Sequence, residues 1–125
     1  MNGIHLLGEW FECAETQAFN DASTLRALCL ALTERAGLVA VGDCFHQFYP
    51  GGVTGTVLLA ESHLALHTWP EERFATVDVF VCNFQHDNTA KATLLLELLR
   101  EALAPGRVQE QAIRRSNGAP VRIAA

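Results

Sequence analysis

LVAVGDCFHQFYPGGVTGTVLLA, residues 38–60, places two apolar runs on either side of Tyr49-Pro50-Gly51-Gly52. Proline fixes its own φ and paired glycines accept positive φ, so this tetrapeptide is the clearest turn signal in the chain. Leu38–Phe48 therefore reads as a strand and Val53–Ala60 as the strand that returns beside it. Gly42-Asp43 interrupts the first run and marks a bulge. Downstream, His63–Thr68 continues as an extended segment, followed by a strand over Thr76–Cys82. Alternation within that strand sends Val77, Val79 and Val81 to one side and Thr76, Asp78, Phe80 and Cys82 to the other. A short opening strand, Ile4–Trp10, and a last one, Arg107–Arg115, complete the extended segments.

Two segments switch to a helical period. Leu25, Leu28, Cys29 and Leu32 recur at three- and four-residue steps, with Asp21 or Ser23 as N-cap and Gly37 as the stop. Leu94, Leu95, Leu98, Leu99 and Ala102 form an apolar face on a helix from Thr89 to Leu103, which Pro105-Gly106 ends. Lys91 pairs with acids along its surface. Two main helices among hairpin-linked strands predict an α+β fold, a two-layer α/β sandwich with an antiparallel sheet. At 125 residues the chain fits one domain, 1–125, with a peripheral tail after Arg115.

The formal charge is −5, from 14 acidic and 9 basic residues, which argues against indiscriminate nucleic-acid binding. Arg114 and Arg115 read as a solvated pair. The four cysteines, Cys13, Cys29, Cys44 and Cys82, contain no C-x-x-C unit, so no zinc knuckle or redox pair is expected. His46, His63, His67 and His86 lack zinc-site spacing, and no metal site is expected. The opening residues lack a secretory pattern, and no apolar run approaches the length of a membrane span. A reducing cytoplasm with free thiols is the expected setting.

The run Leu58-Leu59-Ala60-Glu61-Ser62-His63-Leu64-Ala65-Leu66-His67-Thr68-Trp69-Pro70-Glu71 carries chemically distinct residues at fixed offsets. It resembles the self-processing segment of bacterial S-adenosylmethionine decarboxylases. The resemblance extends upstream through His46-Gln47-Phe48-Tyr49-Pro50-Gly51-Gly52-Val53-Thr54-Gly55 and downstream through Val77-Asp78-Val79-Phe80-Val81-Cys82.

The resemblance implies that Ser62 attacks the carbonyl carbon of Glu61, turning the peptide link into an ester. Elimination and hydrolysis then leave a covalent pyruvoyl group derived from Ser62. The chain would be cut between residues 61 and 62, with its N- and C-terminal fragments remaining associated. Proximity favours the attack, because the hydroxyl is already held beside the acyl carbon. By the same resemblance, His67 accepts a proton during ester elimination. Thr54 takes the position of an auxiliary serine, keeping the hydroxyl but adding a methyl that restricts its rotamer. The pyruvoyl ketone serves as the Schiff-base site for a small amine-bearing substrate, and Cys82 returns a proton after carbon dioxide leaves. Phe48 stacks on adenine and Glu71 binds ribose hydroxyls. The remaining cysteines are expected to pack.

Strict strand alternation places His67 and Ser62 on opposite faces, so the resemblance requires an irregularity at Glu61-Ser62 if both reach one reaction centre. The activity implied is decarboxylation of S-adenosylmethionine to supply the aminopropyl donor for spermidine synthesis. A homodimer with active sites near the partner interface is implied as well. Two departures from the family pattern are Ile4 between Gly3 and His5, where a basic residue is usual, and Asn83 after Cys82, where glycine is usual. They leave an arginine or ornithine decarboxylase on the same scaffold as an alternative. An unprocessed regulatory homologue is a further one.

Overall fold

Six extended segments pair into one antiparallel sheet in the computed structural model, which describes residues 1–118. The strands are β1 (Asn2–Phe11), β2 (Ala40–Gln47), β3 (Val53–Leu59), β4 (Ser62–Trp69), β5 (Phe74–Cys82) and β6 (Arg107–Ser116). Their order across the sheet is β2-β3-β4-β5-β1-β6. Helix α1 spans Gln17–Asn20, α2 Ala22–Arg35 and α3 Thr89–Leu103. The α+β architecture and antiparallel sheet match the sequence expectation. The tail expected after Arg115 falls partly outside the described residues.

One face of the sheet is a continuous apolar surface. Val53, Val57 and Leu59 of β3, Leu64 and Leu66 of β4, Val77, Val79 and Val81 of β5, and Trp10 of β1 are all buried there. Helix α2 packs on β2 and β3, while α3 packs on β5 and β1. Burying these side chains removes apolar area from water, which is the main force holding the layers together. Gly55 matters here: a Cβ would collide with the Phe45 ring lying across it from β2. The opposite face carries His5, Thr54, Thr56, His63, His67, Thr76 and Asp78, and no helix among the described residues packs on it. Among the described residues, no helix is long and apolar enough to cross a membrane.

Local signals explain most boundaries. Asp21 is the N-cap of α2, its carboxylate accepting from the Thr24 N–H at 2.9 Å. The register shifts between Ala40 and Gly42, where the bulge was expected. The turn between β2 and β3 closes with the Phe48 N–H donating to the Gly52 carbonyl at 2.9 Å and contains a cis Tyr49–Pro50 peptide. Helix α3 has the predicted span, and Ala104 caps it in the left-handed region at φ 46°, ahead of Pro105-Gly106.

Some expectations need correction. Helix α1 and a single 3-10 turn at Pro70–Glu72 interrupt segments whose composition gave no period. Burial of Phe19 supplies the reason for α1. On α3, Leu94 is exposed, and Leu96 is buried in its place together with Ala92, Leu95, Leu99 and Leu103. The helix is rolled relative to the face read from sequence because it lies over two strands and also touches α2.

Leu66 sits near the middle of the sheet and is fully buried. Leu66→Ala is expected to cost about 2–5 kcal/mol in denaturant unfolding, through lost transfer energy and a residual cavity. Leu94→Ala should stay within about 0.5 kcal/mol of the parent. Equal effects from the two substitutions would contradict the packing described.

Candidate functional site

The β3–β4 hairpin turns on Ala60-Glu61, with Leu59 paired to Ser62. Ser62 has a φ of 156°, a positive value rare for a residue with a side chain. The chain is thus irregular at Glu61-Ser62, but this does not bring Ser62 and His67 to one centre within a chain. The Glu61 carbonyl accepts a hydrogen bond from the Cys82 backbone N–H at 2.8 Å. Its carboxylate accepts from the Val39 N–H at 3.2 Å, so both ends of Glu61 are tied to neighbouring chain. The Ser62 hydroxyl lies 3.4 Å from His63 Nδ1. Ser62, the Glu61 carbonyl and Cys82 thus meet at one end of the sheet.

Cross-strand pairing builds a polar cluster beside that serine. His63 of β4 and His5 of β1 both face Phe80 of β5 in register. His5 Nε2 lies 3.2 Å from Asp78 Oδ1, and the His5 and His63 rings meet edge-on at 6.3 Å. Arg115 stacks over the Phe80 ring at 4.7 Å. Burial, then the neighbouring His5, holds the His63 pKa below the usual histidine value; Asp78 opposes this shift, and Arg115 adds to it.

A second group gathers at the far end of β4. Thr54 Oγ1 and His67 Nδ1 are hydrogen-bonded at 2.9 Å, and the His67 ring stacks on Trp69 at 5.8 Å. Together with Phe48, Tyr49, Glu71 and the Pro50-Gly51-Gly52 turn, they line a cavity of about 460 Å³. Phe48 is half exposed and meets the His46 ring edge-on at 4.7 Å. Beneath the cavity, Thr68 Oγ1 donates to the Phe19 carbonyl at 2.8 Å and accepts from the Val53 N–H at 2.9 Å. These two bonds fix the floor on which Thr54 and His67 stand.

The residues expected to share one site therefore fall into two groups. Ser62, Glu61 and Cys82 lie together, as do Thr54, His67, Phe48 and Glu71. Five residues of strand separate Ser62 from His67, about 16 Å at the usual rise of ~3.3 Å per residue. A single chain does not bring His67 to Ser62.

Asn83, the departure noted after Cys82, has a structural task. Its amide donates to Thr89 Oγ1 at 3.1 Å and accepts from the Asn88 N–H at 2.8 Å, closing the loop into α3. Asn88 in turn donates to the Cys82 carbonyl at 2.9 Å. A smaller cavity of about 310 Å³ opens beside this loop, lined by Asn2, Gly3, His86 and Arg114 among others. Among the described residues, no group of three His, Cys, Asp or Glu side chains is placed to hold a metal ion.

Sequence reading missed three parts of the Ser62 end. The Cys82 N–H is a backbone group, whose target depends on strand register. His63 was weighed only as a metal ligand, although its place directly after Ser62 was the available signal. The His5–Asp78 contact spans 73 positions and becomes visible only when β1 is paired with β5.

Comparison with known proteins gives a consistent picture. A family model described as S-adenosylmethionine decarboxylase matches residues 4–116. An S-adenosylmethionine decarboxylase proenzyme from Persephonella marina is 36% identical over 113 residues, covering 90% of this chain and 81% of the relative. One from Prochlorococcus marinus is 42% identical over 103 residues, covering 82% and 78%. The crystal structure of the adenosylmethionine decarboxylase from Aquifex aeolicus superposes with a TM-score of 0.81 at 31% identity, covering 98% of this chain and 97% of that one.

All four thiols are free, but their environments differ. Burial pushes Cys13 up to about 11, against a small opposing effect of Arg73, and pushes Cys29 up to about 12. The thiolate is the reactive form, so both should be inert at pH 7.5 while exposed Cys44 reacts. Iodoacetamide labelling of native protein followed by peptide mass mapping should find Cys44 modified, and Cys13 and Cys29 modified only after unfolding. Native labelling of Cys29 as fast as Cys44 would contradict the burial described.

Proposed function

The chain belongs to the S-adenosylmethionine decarboxylase family, and on that premise we propose that it cuts itself between Glu61 and Ser62 and works through a pyruvoyl group made from Ser62. The reaction is decarboxylation of S-adenosylmethionine, which supplies the aminopropyl donor for spermidine synthesis. The observation that carries the self-cleavage reading is the Glu61 carbonyl, held by the Cys82 N–H beside the Ser62 hydroxyl. A donor fixed on that oxygen stabilises the negative charge that develops when the hydroxyl adds to the carbonyl carbon. The nucleophile is the next residue in the chain, so no bimolecular encounter is needed. These residues fit a group that is made from a serine rather than bound from solution.

When formed, the pyruvoyl group supplies a ketone that draws electrons from the bond to the departing carboxylate. The chain's own side chains do the rest. His67, oriented by Thr54, accepts the α-proton of residue 62 during ester elimination. Cys82 delivers a proton to the substrate carbon that has lost its carboxylate. Phe48 offers a flat face to adenine, and Glu71 accepts hydrogen bonds from ribose hydroxyls.

The separation of the two groups along β4 supports a site assembled from two copies. Face-to-face stacking of two open sheet faces about a two-fold axis perpendicular to the strands exchanges the two ends of β4. The partner's His67, Thr54, Phe48 and Glu71 then stand over Ser62 and Cys82, and the reverse holds at the second site. Cleavage leaves each assembly intact. Six β3–β4 pairs, Thr54↔His67 through Leu59↔Ser62, join the two fragments. Strand β1 of the first fragment also lies between β5 and β6 of the second. Four free cysteines suit a cytoplasmic setting.

Intact mass of purified wild-type protein should give two fragments divided at 61/62, with the second blocked at its first residue, while Ser62→Ala stays whole. When Ser62→Ala and His67→Ala chains are co-expressed, the His67→Ala chain should be cleaved, because it keeps its serine and receives the partner's His67, while the Ser62→Ala chain stays whole. Rescue of cleavage in the His67→Ala chain supports the two-copy site, and its absence with mixed dimers present overturns it. Processed protein should release carbon dioxide from S-adenosylmethionine in preference to arginine or ornithine. The reverse preference would reject the substrate while leaving the self-cleavage reading in place.

A further inference from the structure

We propose that His63 is the base that takes the Ser62 hydroxyl proton in the first step of self-cleavage, a role separate from that of His67 in the later elimination. The proposal rests on the self-cleavage reading and deepens it. His67 of the same chain lies about 16 Å along β4 from Ser62, and the partner's His67 is the one assigned to the later α-proton. Among the described residues, His63 is the side chain whose ring nitrogen is hydrogen-bonded to Ser62 Oγ, at 3.4 Å. Adjacent residues in a regular strand point to opposite faces, so such a contact is not expected from β geometry. The positive φ of Ser62 at the hairpin exit accompanies it.

The surroundings of His63 hold its ring and keep it neutral. From β5, Phe80 packs against the ring at 5.7 Å, and Asp78 lies nearby. From β1, His5 meets it edge-on at 6.3 Å, itself fixed by Asp78 at 3.2 Å. From β6, Arg115 stacks over the Phe80 ring at 4.7 Å. Strand β3 contributes Leu58, its register partner, which carries no charge. The half-buried ring thus faces another imidazole and a guanidinium, with one carboxylate already engaged by His5. This environment favours the neutral form, which has a lone pair free to accept a proton.

The step balances without any co-reactant. Ser62 Oγ–H gives its proton to His63 Nδ1 as Oγ bonds to the Glu61 carbonyl carbon, and the carbonyl π pair moves onto the oxygen held by the Cys82 N–H. Collapse re-forms the carbonyl and breaks the bond between the Glu61 carbon and the Ser62 nitrogen. The nitrogen takes the electron pair and the proton that His63 carries. The products are an ester at Ser62 Oγ, a free amine and a neutral imidazole ready for no further part in the reaction.

The test isolates this step in a His67→Ala background, which retains the proposed first base and lacks the second. Full-length chain is made by cell-free synthesis and treated with hydroxylamine, which cleaves the ester at 61/62 and leaves the amide intact. Adding His63→Gln should slow hydroxylamine cleavage by about a hundredfold or more, the usual contribution of a positioned base. An unchanged rate in folded double variant, with near-ultraviolet dichroism like the parent, overturns the proposal. If His63→Gln does not fold, the pH profile of His67→Ala alone decides. Its cleavage rate, divided by the fraction of unprotonated hydroxylamine, should still fall as pH is lowered, with a midpoint below that of an ordinary histidine because the His63 pKa is lowered; a flat corrected profile overturns the role. Wild-type chain that stays whole and as inert to hydroxylamine as Ser62→Ala overturns the self-cleavage reading itself, and the role of His63 with it.

Discussion

The register that pairs β4 with β5 is the constraint on which the rest depends. Ser62 lies opposite Val81, which brings the following N–H, that of Cys82, onto the Glu61 carbonyl at 2.8 Å. A slip of one residue would turn every side chain of β4 to the wrong face and would also remove this donor. The register is enforced from the other side of the sheet, where Leu64, Leu66, Val77, Val79 and Val81 are all buried under the helices. Apolar packing on one face therefore sets hydrogen-bond geometry at the end of the sheet. Core and chemistry are linked through strand alternation.

Much of this was legible in the sequence because it depends on local rules. Turn residues at 49–52, a period of two over 76–82 and a helical period over 89–103 each have a near-neighbour cause, and the corresponding elements are found there. The chain is irregular at Glu61-Ser62, with a Ser62 φ of 156°, but the irregularity does not join Ser62 to His67 within one chain. What escaped the sequence depends on pairing between distant segments. Periodicity places His5 on a strand and Asp78 on another, but only the β1–β5 register makes them neighbours. The roll of α3 escaped for the same reason: Leu94 and Leu96 are equally apolar, and which one is buried depends on what lies beneath the helix.

The two ends of β4 divide the required chemistry by environment. At the Ser62 end, histidine and carboxylate lie in a half-buried cluster whose burial lowers the pKa of one imidazole, His63. At the other end, a threonine hydroxyl orients His67 beside a cavity bounded by aromatic rings and the 49–52 turn. Threonine in place of serine is less of a change here than rotamer counts imply. Its hydroxyl is already in contact with the His67 ring across the β3–β4 pair, where β-branched side chains fit the pleated surface well.

The open sheet face poses an energetic question that its own hydrogen bonds answer. A second sheet laid over it would take several polar groups out of water, and each unpaired one would cost roughly 1–3 kcal/mol. On this face the most demanding groups arrive already paired within one chain. His5 is joined to Asp78, Thr54 to His67, and the Thr56 hydroxyl donates to the Leu64 carbonyl at 3.0 Å. A partly solvent-accessible pair such as His5–Asp78 adds little to the stability of a lone chain. Its larger effect is on association, because covering satisfied groups loses far less than covering free ones. A face that is polar yet internally bonded can thus be buried against a copy of itself while keeping ionisable side chains beside Ser62.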